Sequence, residues 1–375
     1  MNPKLDIVTW DVPWPADYGG AIDVYHRCRC LKEAGVKIHL HCFEYGDRIP
    51  QDHLLEICEE VFYYPRCSGL KGFDFQEPYI VHSRRNASLL KKLSAGAGPI
   101  LFEGLHTTAY LDHPALQHRA RWVRTHNIEH DYYLQLAGHT TSFFRRLYLY
   151  RESILLRQYE KKLNQANQLF CISEEDTRYF SENYKEVACT WLPAFHPEDR
   201  VNIRPGRGNF CLYHGNLSIA ENEKAALYLA TEVFNHLDIP LIIAGKNPGK
   251  VLQALASEKI QIIANPDHVR LQNLIEQAHI HVLPAFQDTG IKLKLLHALF
   301  SGRHCLVNSM MLNGTNLQDA VHVADDAISF IEKINQLWGR EFKPDEIAAR
   351  ERNLLPYKNN KIVEILLNTL QKHYQ

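Results

Sequence analysis

The sequence has no apolar run approaching the roughly 18–20 residues of a membrane-spanning helix, and no excess of charge of either sign. Lys and Arg total 42 and Asp and Glu 43, for a formal net charge of −1. That balance excludes bulk electrostatic attraction to nucleic acid or an anionic membrane and leaves only a local patch as a route to either. Cysteine is present without a framework. There are nine, an odd number, and Cys28 and Cys30 form C-x-C rather than C-x-x-C. A disulfide scaffold and a structural zinc are not expected, and the thiols read as reduced, in the cytoplasm. The opening MNPKLDIVTW enters strand-like residues without a basic and then apolar leader, which predicts no secretory signal. G-x-G-x-x-G, the P-loop, H-E-x-x-H and Cys/His fingers are all missing. There is no short-period repeat and no low-complexity segment.

What remains is ordinary globular protein in two portions. The chain has 375 residues, room for two domains, with 45% hydrophobic and 23% charged residues. Short β-branched runs alternate with helical patterns throughout. The strand candidates are 5–10, 38–43, 61–64, 100–103, 122–126, 168–172 and 188–192, then 210–214, 241–244, 260–264, 281–284, 304–308 and 321–323. Near-continuous apolar runs such as Leu241-Ile242-Ile243-Ala244 fit strands buried on both faces of a parallel sheet. Two long sets of βαβ units predict an α/β protein with two doubly wound, Rossmann-like domains. Pro193, Pro197, Pro205, Gly206 and Gly208 punctuate the boundary. The expected division is 1–196, a linker about 197–208, and 209–350. A helix at about 357–375 carries Ile362, Ile365, Leu366 and Leu370 on one face.

One predicted helix is long. Phe143, Leu147, Tyr150, Ile154, Tyr159 and Leu163 form one apolar stripe through about six turns, decorated by Arg145, Arg146, Arg151, Arg157, Lys161 and Lys162. It reads as a scaffold helix with a solvated charged face; the sharper alternative is a basic aromatic surface for a lipid-linked or anionic acceptor. The 21 histidines are scattered, as at His39 and His41 or His279 and His281, and read as polar filler at strand edges and surfaces.

Ligands of open α/β sheets bind beyond the carboxyl ends of strands, and four such places carry chemistry. Gly19-Gly20 opens the helix after the first strand, where backbone can approach a ligand and free N–H groups face an anion. Arg124-Thr125-His126-Asn127-Ile128-Glu129-His130 is a polar knot after the fifth. Gly215-Asn216 leads from a strand into a helix. Most pointed is the segment from Pro284 to Leu299, in which Asp288 and Thr289 precede Gly290, and Gly290, Lys294 and His297 share one helical face. Lys294 can add its charge to an anion at that helix start, and His297 can hydrogen-bond a neutral hydroxyl.

Together these segments, PADYGGAIDVYHRCRCLKEAG, RTHNIEHDYY, YHGNLSIAENEKAALYL and IEQAHIHVLPAFQDTGIKLKLLHALFSGRHCLVN, resemble the GT-B glycosyltransferases, in particular the retaining family-four group. The resemblance implies two Rossmann-like domains facing across a cleft, with the C-terminal helix returning to the first. It implies a nucleotide-sugar donor held mainly by the second domain, a glycan or lipid-linked acceptor held mainly by the first, and no cofactor or metal. Catalytic roles would fall to His126, Lys294 and Thr289, and donor binding to Gly19, Gly20, Gly215, Asn216, Asp288, Gly290 and His297. The chain departs from the family at four places. Asn216 and Asn222 stand where many relatives carry Arg and Lys, and Thr289 and His297 where they carry two glutamates. The expectation is a hexosyltransferase-like enzyme of envelope or exported polysaccharide synthesis, cytoplasmic and at most peripheral at the inner membrane face, with no nucleic-acid partner. A catalytically impaired partner protein and a nucleotide-sugar epimerase are the alternatives.

Overall fold

Runs such as Ile100–Glu103, Ile280–Leu283 and His304–Val307 are too short and too β-branched or apolar for helices, and each becomes a strand with every residue buried. The computed structural model describes residues 3–287 and 292–374. These divide into unit 1 (3–197 with 359–374) and unit 2 (198–287 with 292–358).

Unit 1 is built on a parallel sheet of seven strands: β1 (Lys4–Thr9), β2 (Lys37–Glu44), β3 (Glu60–Pro65), β4 (Ile100–Glu103), β5 (Arg121–Thr125), β6 (Gln168–Cys171) and β7 (Ala188–Trp191). Their order is β3-β2-β1-β4-β5-β6-β7. Unit 2 has six: β8 (Cys211–Asn216), β9 (Leu241–Lys246), β10 (Ile260–Ala264), β11 (Ile280–Leu283), β12 (His304–Val307) and β13 (His322–Val323), ordered β10-β9-β8-β11-β12-β13. All the strand pairs are parallel. Each order reverses once, between β1 and β4 and between β8 and β11. A doubly wound sheet opens its ligand crevice at such a reversal, beyond the carboxyl ends of the strands. Topology therefore directs attention to Trp10–Gly20 and Glu103–His106 in unit 1, and to Gly215–Asn222 and the chain after Leu283 in unit 2.

The helices that matter are α1 (Gly19–Glu33), α2 (Glu129–His139), α3 (Phe143–Tyr159), α4 (Ala220–Tyr228), α5 (Leu293–Ser301) and α6 (Asn359–Tyr374). The C-terminal α6 belongs to unit 1. Ile362, Leu366 and Leu370 join the core that contains Leu5, Ile7, Leu31 and Leu40, and the Tyr374 hydroxyl donates to the Lys4 carbonyl at 2.8 Å. Segment 198–208, which has no period of its own, lies along unit 2. Asn202 N–H donates to the Phe300 carbonyl at 2.8 Å, Arg204 pairs with Glu276 at 2.8 Å, and Gly206 bridges to Phe342.

Helix α3 corrects the reading of its stripe. The helix ends at Tyr159, and the next turn, through Gln165, is 3₁₀. Tyr159 and Leu163 are buried as expected, but Phe143, Leu147 and Ile154 are 60–70% exposed and Tyr150 is exposed too. The inward face is Leu149, Glu152, Ser153, Leu156 and Tyr159. At 100° per residue this face lies roughly opposite Phe143, Leu147, Tyr150 and Ile154.

Candidate functional site

At the unit 1 reversal, β1 ends in Trp10 and Asp11. The Trp10 indole N–H donates to the Tyr18 hydroxyl at 3.0 Å, and that hydroxyl donates to Asp11 at 3.1 Å. Helix α1 then begins at Gly19 with no side-chain cap. Glycine suits position 20, because a Cβ there would run into the Trp10 ring unless the indole moved. Part of the Gly-Gly signal is thus packing between the β1 end and α1.

Behind this loop lies a fully buried charge network. Asp23, on the first turns of α1, accepts from Arg124 Nε at 2.8 Å and lies 3.5 Å from Arg27. Arg27 also pairs with Glu103 at the end of β4. Burial would raise the Asp23 carboxyl, yet Arg124 and Arg27 hold it at about 2. The second oxygen of Glu103 meets His126 Nε2 at 2.9 Å. Nε2 therefore carries the proton, and the buried Nδ1 of His126, an acceptor, has no partner among the described residues. The His126 ring stands edge-on to Trp10, with centroids 4.7 Å apart. One oxygen each from Asp23 and Glu103 and one nitrogen of His126 lie close enough for a metal ion. Two guanidiniums already neutralise the two carboxylates, so the donor set does not suit a cation.

Gly104, at a φ of +59°, turns the chain after β4 and brings His106 over Trp10. His106 Nδ1 lies 4.0 Å from a Glu129 oxygen, and neither atom has a hydrogen-bond partner among the described residues. Burial holds the His106 ring well below the ordinary histidine range and raises Glu129 to about 8. At neutral pH this is a neutral imidazole beside a protonated acid. Buried Arg84 is held by the carbonyls of Trp10 and Ile80.

At the unit 2 reversal, Lys294 stands in the first turn of α5. Its ammonium donates to Asn222 Oδ1 at 2.7 Å and lies 3.4 Å from the Tyr213 hydroxyl, over the Tyr213 ring. Burial lowers its pKa to about 8, partly offset by Glu221. Asn222 in turn donates to the Asn216 carbonyl at 2.9 Å, and the Asn216 side chain closes the turn onto Ser218. Gly215, Asn216, Asn222 and Lys294 are thus one connected group. Helix α4 carries Glu221 and Glu223 in its first turn, which makes its N-terminus less hospitable to an anion. One turn beyond Lys294, His297 Nε2 faces Gln272 Oε1 at 2.8 Å and Glu198 at 3.0 Å. Both are acceptors, so Nδ1 is the nitrogen left to accept. Asp288, Thr289 and Gly290 lie outside the described residues.

The sequence pointed to His126, Lys294, Gly20 and Gly215 but not to what holds them. Asp23 and Glu103 looked like a helix and a strand residue. In sequence Asn222 reads only as the loss of a charge.

No protein-family model matches the chain. It is 25% identical over 357 residues to an uncharacterised 44.6 kDa protein in the cps region of Klebsiella pneumoniae, covering 88% of this chain and 90% of that one. Three solved structures resemble it along its length. Sucrose-phosphate synthase from Thermosynechococcus elongatus gives a TM-score of 0.64 at 12% identity, covering 100% of this chain and 99% of that one. A glycosyltransferase from Rickettsia africae ESF-5 gives 0.63 at 14%, covering 99% and 98%. Arabidopsis thaliana UGT89C1, complexed with UDP-L-rhamnose, gives 0.58 at 14%, covering 99% of each. The fold is of the GT-B type. At these identities the likeness speaks for architecture, and the chemistry has to be argued from the two reversal points.

Proposed function

We propose that the protein is a Leloir-type glycosyltransferase, moving a sugar from a nucleotide-sugar donor to a hydroxyl of a glycan or lipid-linked acceptor, with retention. The observation that carries this is Lys294, a half-buried ammonium at the start of α5 held by two neutral groups. A half-buried cation in the first turn of a helix, at the reversal of a doubly wound sheet, suits a diphosphate. The cps-region relative and the names of the structural neighbours support the reading and favour envelope or exported polysaccharide as the product.

In this reading unit 2 holds most of the donor. Gly215, Asn216 and Gly290 bring backbone to the diphosphate, Lys294 neutralises it, and His297 meets the ribose through Nδ1. Asp288 and Thr289 contact the transferred sugar. Unit 1 holds the acceptor, with Gly19, Gly20 and His126 beside the sugar. The acceptor oxygen bonds to the anomeric carbon as the bond from that carbon to the diphosphate oxygen breaks. The acceptor proton passes to the departing diphosphate, so no carboxylate base is needed. Stabilising the leaving charge is the main catalytic task, and Lys294 with the helix start supplies it. No cofactor or metal enters this scheme, and the enzyme works in the cytoplasm.

A thermal-shift panel of nucleoside diphosphate sugars tests the proposal. A true donor at 100 times its Kd adds about 2.7 kcal/mol of stability, and Lys294→Ala should weaken nucleoside diphosphate binding at least about tenfold, or 1.4 kcal/mol. A panel in which nothing stabilises the protein overturns donor binding. An inverted anomeric configuration in the product overturns retention.

A further inference from the structure

Helix α3 has two apolar faces, and the fold uses one. Phe143, Leu147, Tyr150 and Ile154 recur at i, i+4, i+7 and i+11 and stand in solvent, opposite the face that packs inward. Phe144 and Phe75 widen the patch at 81% and 82% exposure. The Arg151 guanidinium joins helix and loop by lying over the Phe73 ring at 4.6 Å and donating to the Asp74 carbonyl at 2.7 Å. A contiguous exposed patch of this kind is unusual on a free-standing protein and marks an interaction surface.

The charges that the helix itself shows around the stripe are of one sign, and the fold makes them so; the loop with Phe73 and Phe75 adds an acid, Asp74, beside Arg151. Between Phe143 and Gln165 the acids are Glu152 and Glu160, and both are buried. Glu152 accepts from the Tyr79 N–H at 2.7 Å, and Glu160 from the Tyr179 and Tyr184 hydroxyls at 2.9 and 2.8 Å. Every charge this segment shows to solvent is therefore cationic. Arg151 and Lys162 pair with Glu152 and Asp112. Arg145, Arg146, Arg157 and Lys161 are exposed. By helical angle, Arg146 and Arg157 line one flank of the stripe and Arg151 the other.

We propose that this face of α3 lies on an anionic lipid bilayer, with the aromatic and aliphatic stripe at the acyl boundary and the arginines at the phosphates. An apolar stripe between cationic flanks is the pattern of a helix lying in the membrane interface, and arginine stems can follow the apolar surface while their heads stay wet. No described helix is long and apolar enough to cross a membrane, so the contact is superficial. A second copy fits worse, because a two-fold contact through this stripe would set arginine rows against each other. The overall charge of −1 hides the patch, since its neutralising acids are spread over the rest of the chain. The inference does not depend on the glycosyltransferase reading.

Co-sedimentation of the full chain with vesicles tests it. Binding to phosphatidylcholine vesicles containing about one-third phosphatidylglycerol should exceed binding to pure phosphatidylcholine at least about tenfold and should weaken with salt. The double variant Leu147→Glu/Ile154→Glu and the separate pair Arg146→Glu/Arg157→Glu should each lower binding about tenfold or more. All four side chains are exposed, so melting temperature should hold, and the arginine pair disturbs no apolar contact if the first variant misfolds. Failure of the wild type to sediment with anionic vesicles, or unchanged binding by both folded variants, overturns the proposal. So does a concentration-dependent dimer, seen by light scattering, that Leu147→Glu/Ile154→Glu abolishes, which would assign the face to a second copy.

Discussion

The two units share a sheet topology and bury polar side chains in opposite ways. Unit 1 buries charge against charge. Three of its buried histidines find carboxylates, His41 with Asp6, His126 with Glu103 and His130 with Glu160, and its guanidiniums close the network around Asp23. Unit 2 buries histidines as neutral rings against backbone. His279, His281 and His304 meet the carbonyls of Leu337, Ile275 and Arg340. Burial then pushes His281 and His304 down to about 3 and His322 to about 4. His297, on the candidate site helix, departs from this pattern by pairing with Glu198, and buried His214 packs on the His281 and His297 rings. A buried pair fixes the orientation of both partners but is costly to break. A neutral ring on a carbonyl is cheap to bury and fails when protons become available. The lesson is that histidine count says nothing by itself; the partner decides what the ring does.

The largest effect should come from breaking a unit 1 pair. Asp23→Ala leaves Arg27 and Arg124 facing each other in the interior and also strips the Phe195 N–H of its acceptor. The expected loss is about 3–5 kcal/mol. Urea denaturation followed by tryptophan fluorescence reads it, because Trp10, Trp14, Trp122 and Trp191 lie in unit 1 and Trp338 in unit 2. A loss below about 1 kcal/mol would mean that the network is solvated.

Acid should separate the units next. In unit 2 burial holds His214, His279, His281, His304 and His322 below the unfolded value of about 6.5, so at these rings the unfolded chain takes up protons first. The stability these rings contribute is complete above pH 6.5 and is lost as pH falls toward 3. His281 alone accounts for about 3 kcal/mol of loss at pH 4. In unit 1, His39 and His130 are raised by hydrogen bonds to Asp6 and Glu160. Their contribution is complete below pH 6.5 and is lost as pH rises, although His41 and His106, lowered by burial, pull the other way. Calorimetry between pH 7 and pH 4 should show the unit 2 transition moving down further than that of unit 1. Parallel movement would erase the distinction.

How much of this was legible in the sequence follows the range of the interactions. Each of the seven and six strand candidates is a strand, because β-branched runs between turn residues are local signals. The candidate residues after strands were legible for the same reason, since the carboxyl end of a strand is a position in the chain. The Arg27–Glu103 pair joins residues 76 positions apart, and the Arg124–Asp23 pair 101. No pattern in one sequence announces such partners. Helix α3 misled differently. A helix with two apolar faces has a clear period, and periodicity cannot say which face goes inward. The inward face was the one marked by Leu149 and Leu156 around an acid, Glu152, that the backbone N–H of Tyr79 needed.

A smaller effect is expected at the junction of β1 and α1. Gly20→Ala forces its methyl into the Trp10 ring, at a cost of about 1–3 kcal/mol. The indole also touches the His126 and His106 rings, so its near-ultraviolet circular dichroism should change. Unchanged stability together with an unchanged indole signal would show that the loop yields freely, returning Gly20 to a purely ligand-facing role.

The smallest effect tests whether the half-buried cation Lys294 of unit 2 can be given the kind of partner unit 1 uses. Lys294 is bonded to Asn222 Oδ1, where Asn222→Asp would place a carboxylate with almost no change of shape. In the wild type, burial holds the amine at about 8, so it is charged at pH 7 and loses its charge as pH rises through 8. Nucleoside diphosphate affinity should fall over the same interval, because binding then has to recruit a proton. In Asn222→Asp the new carboxylate stabilises the ammonium and moves that fall to higher pH. It also competes with the diphosphate for the same cation. Affinity at pH 7 should drop about fivefold, on the order of 1 kcal/mol for a partly exposed pair. Titration calorimetry of a nucleoside diphosphate from pH 6.5 to 9.5, on both proteins, separates the two consequences. Lower affinity with a displaced pH profile places Lys294 at the phosphates. Superimposable profiles would mean that the titrating group lies elsewhere, and that Lys294, like the buried histidines His281 and His304, serves the fold.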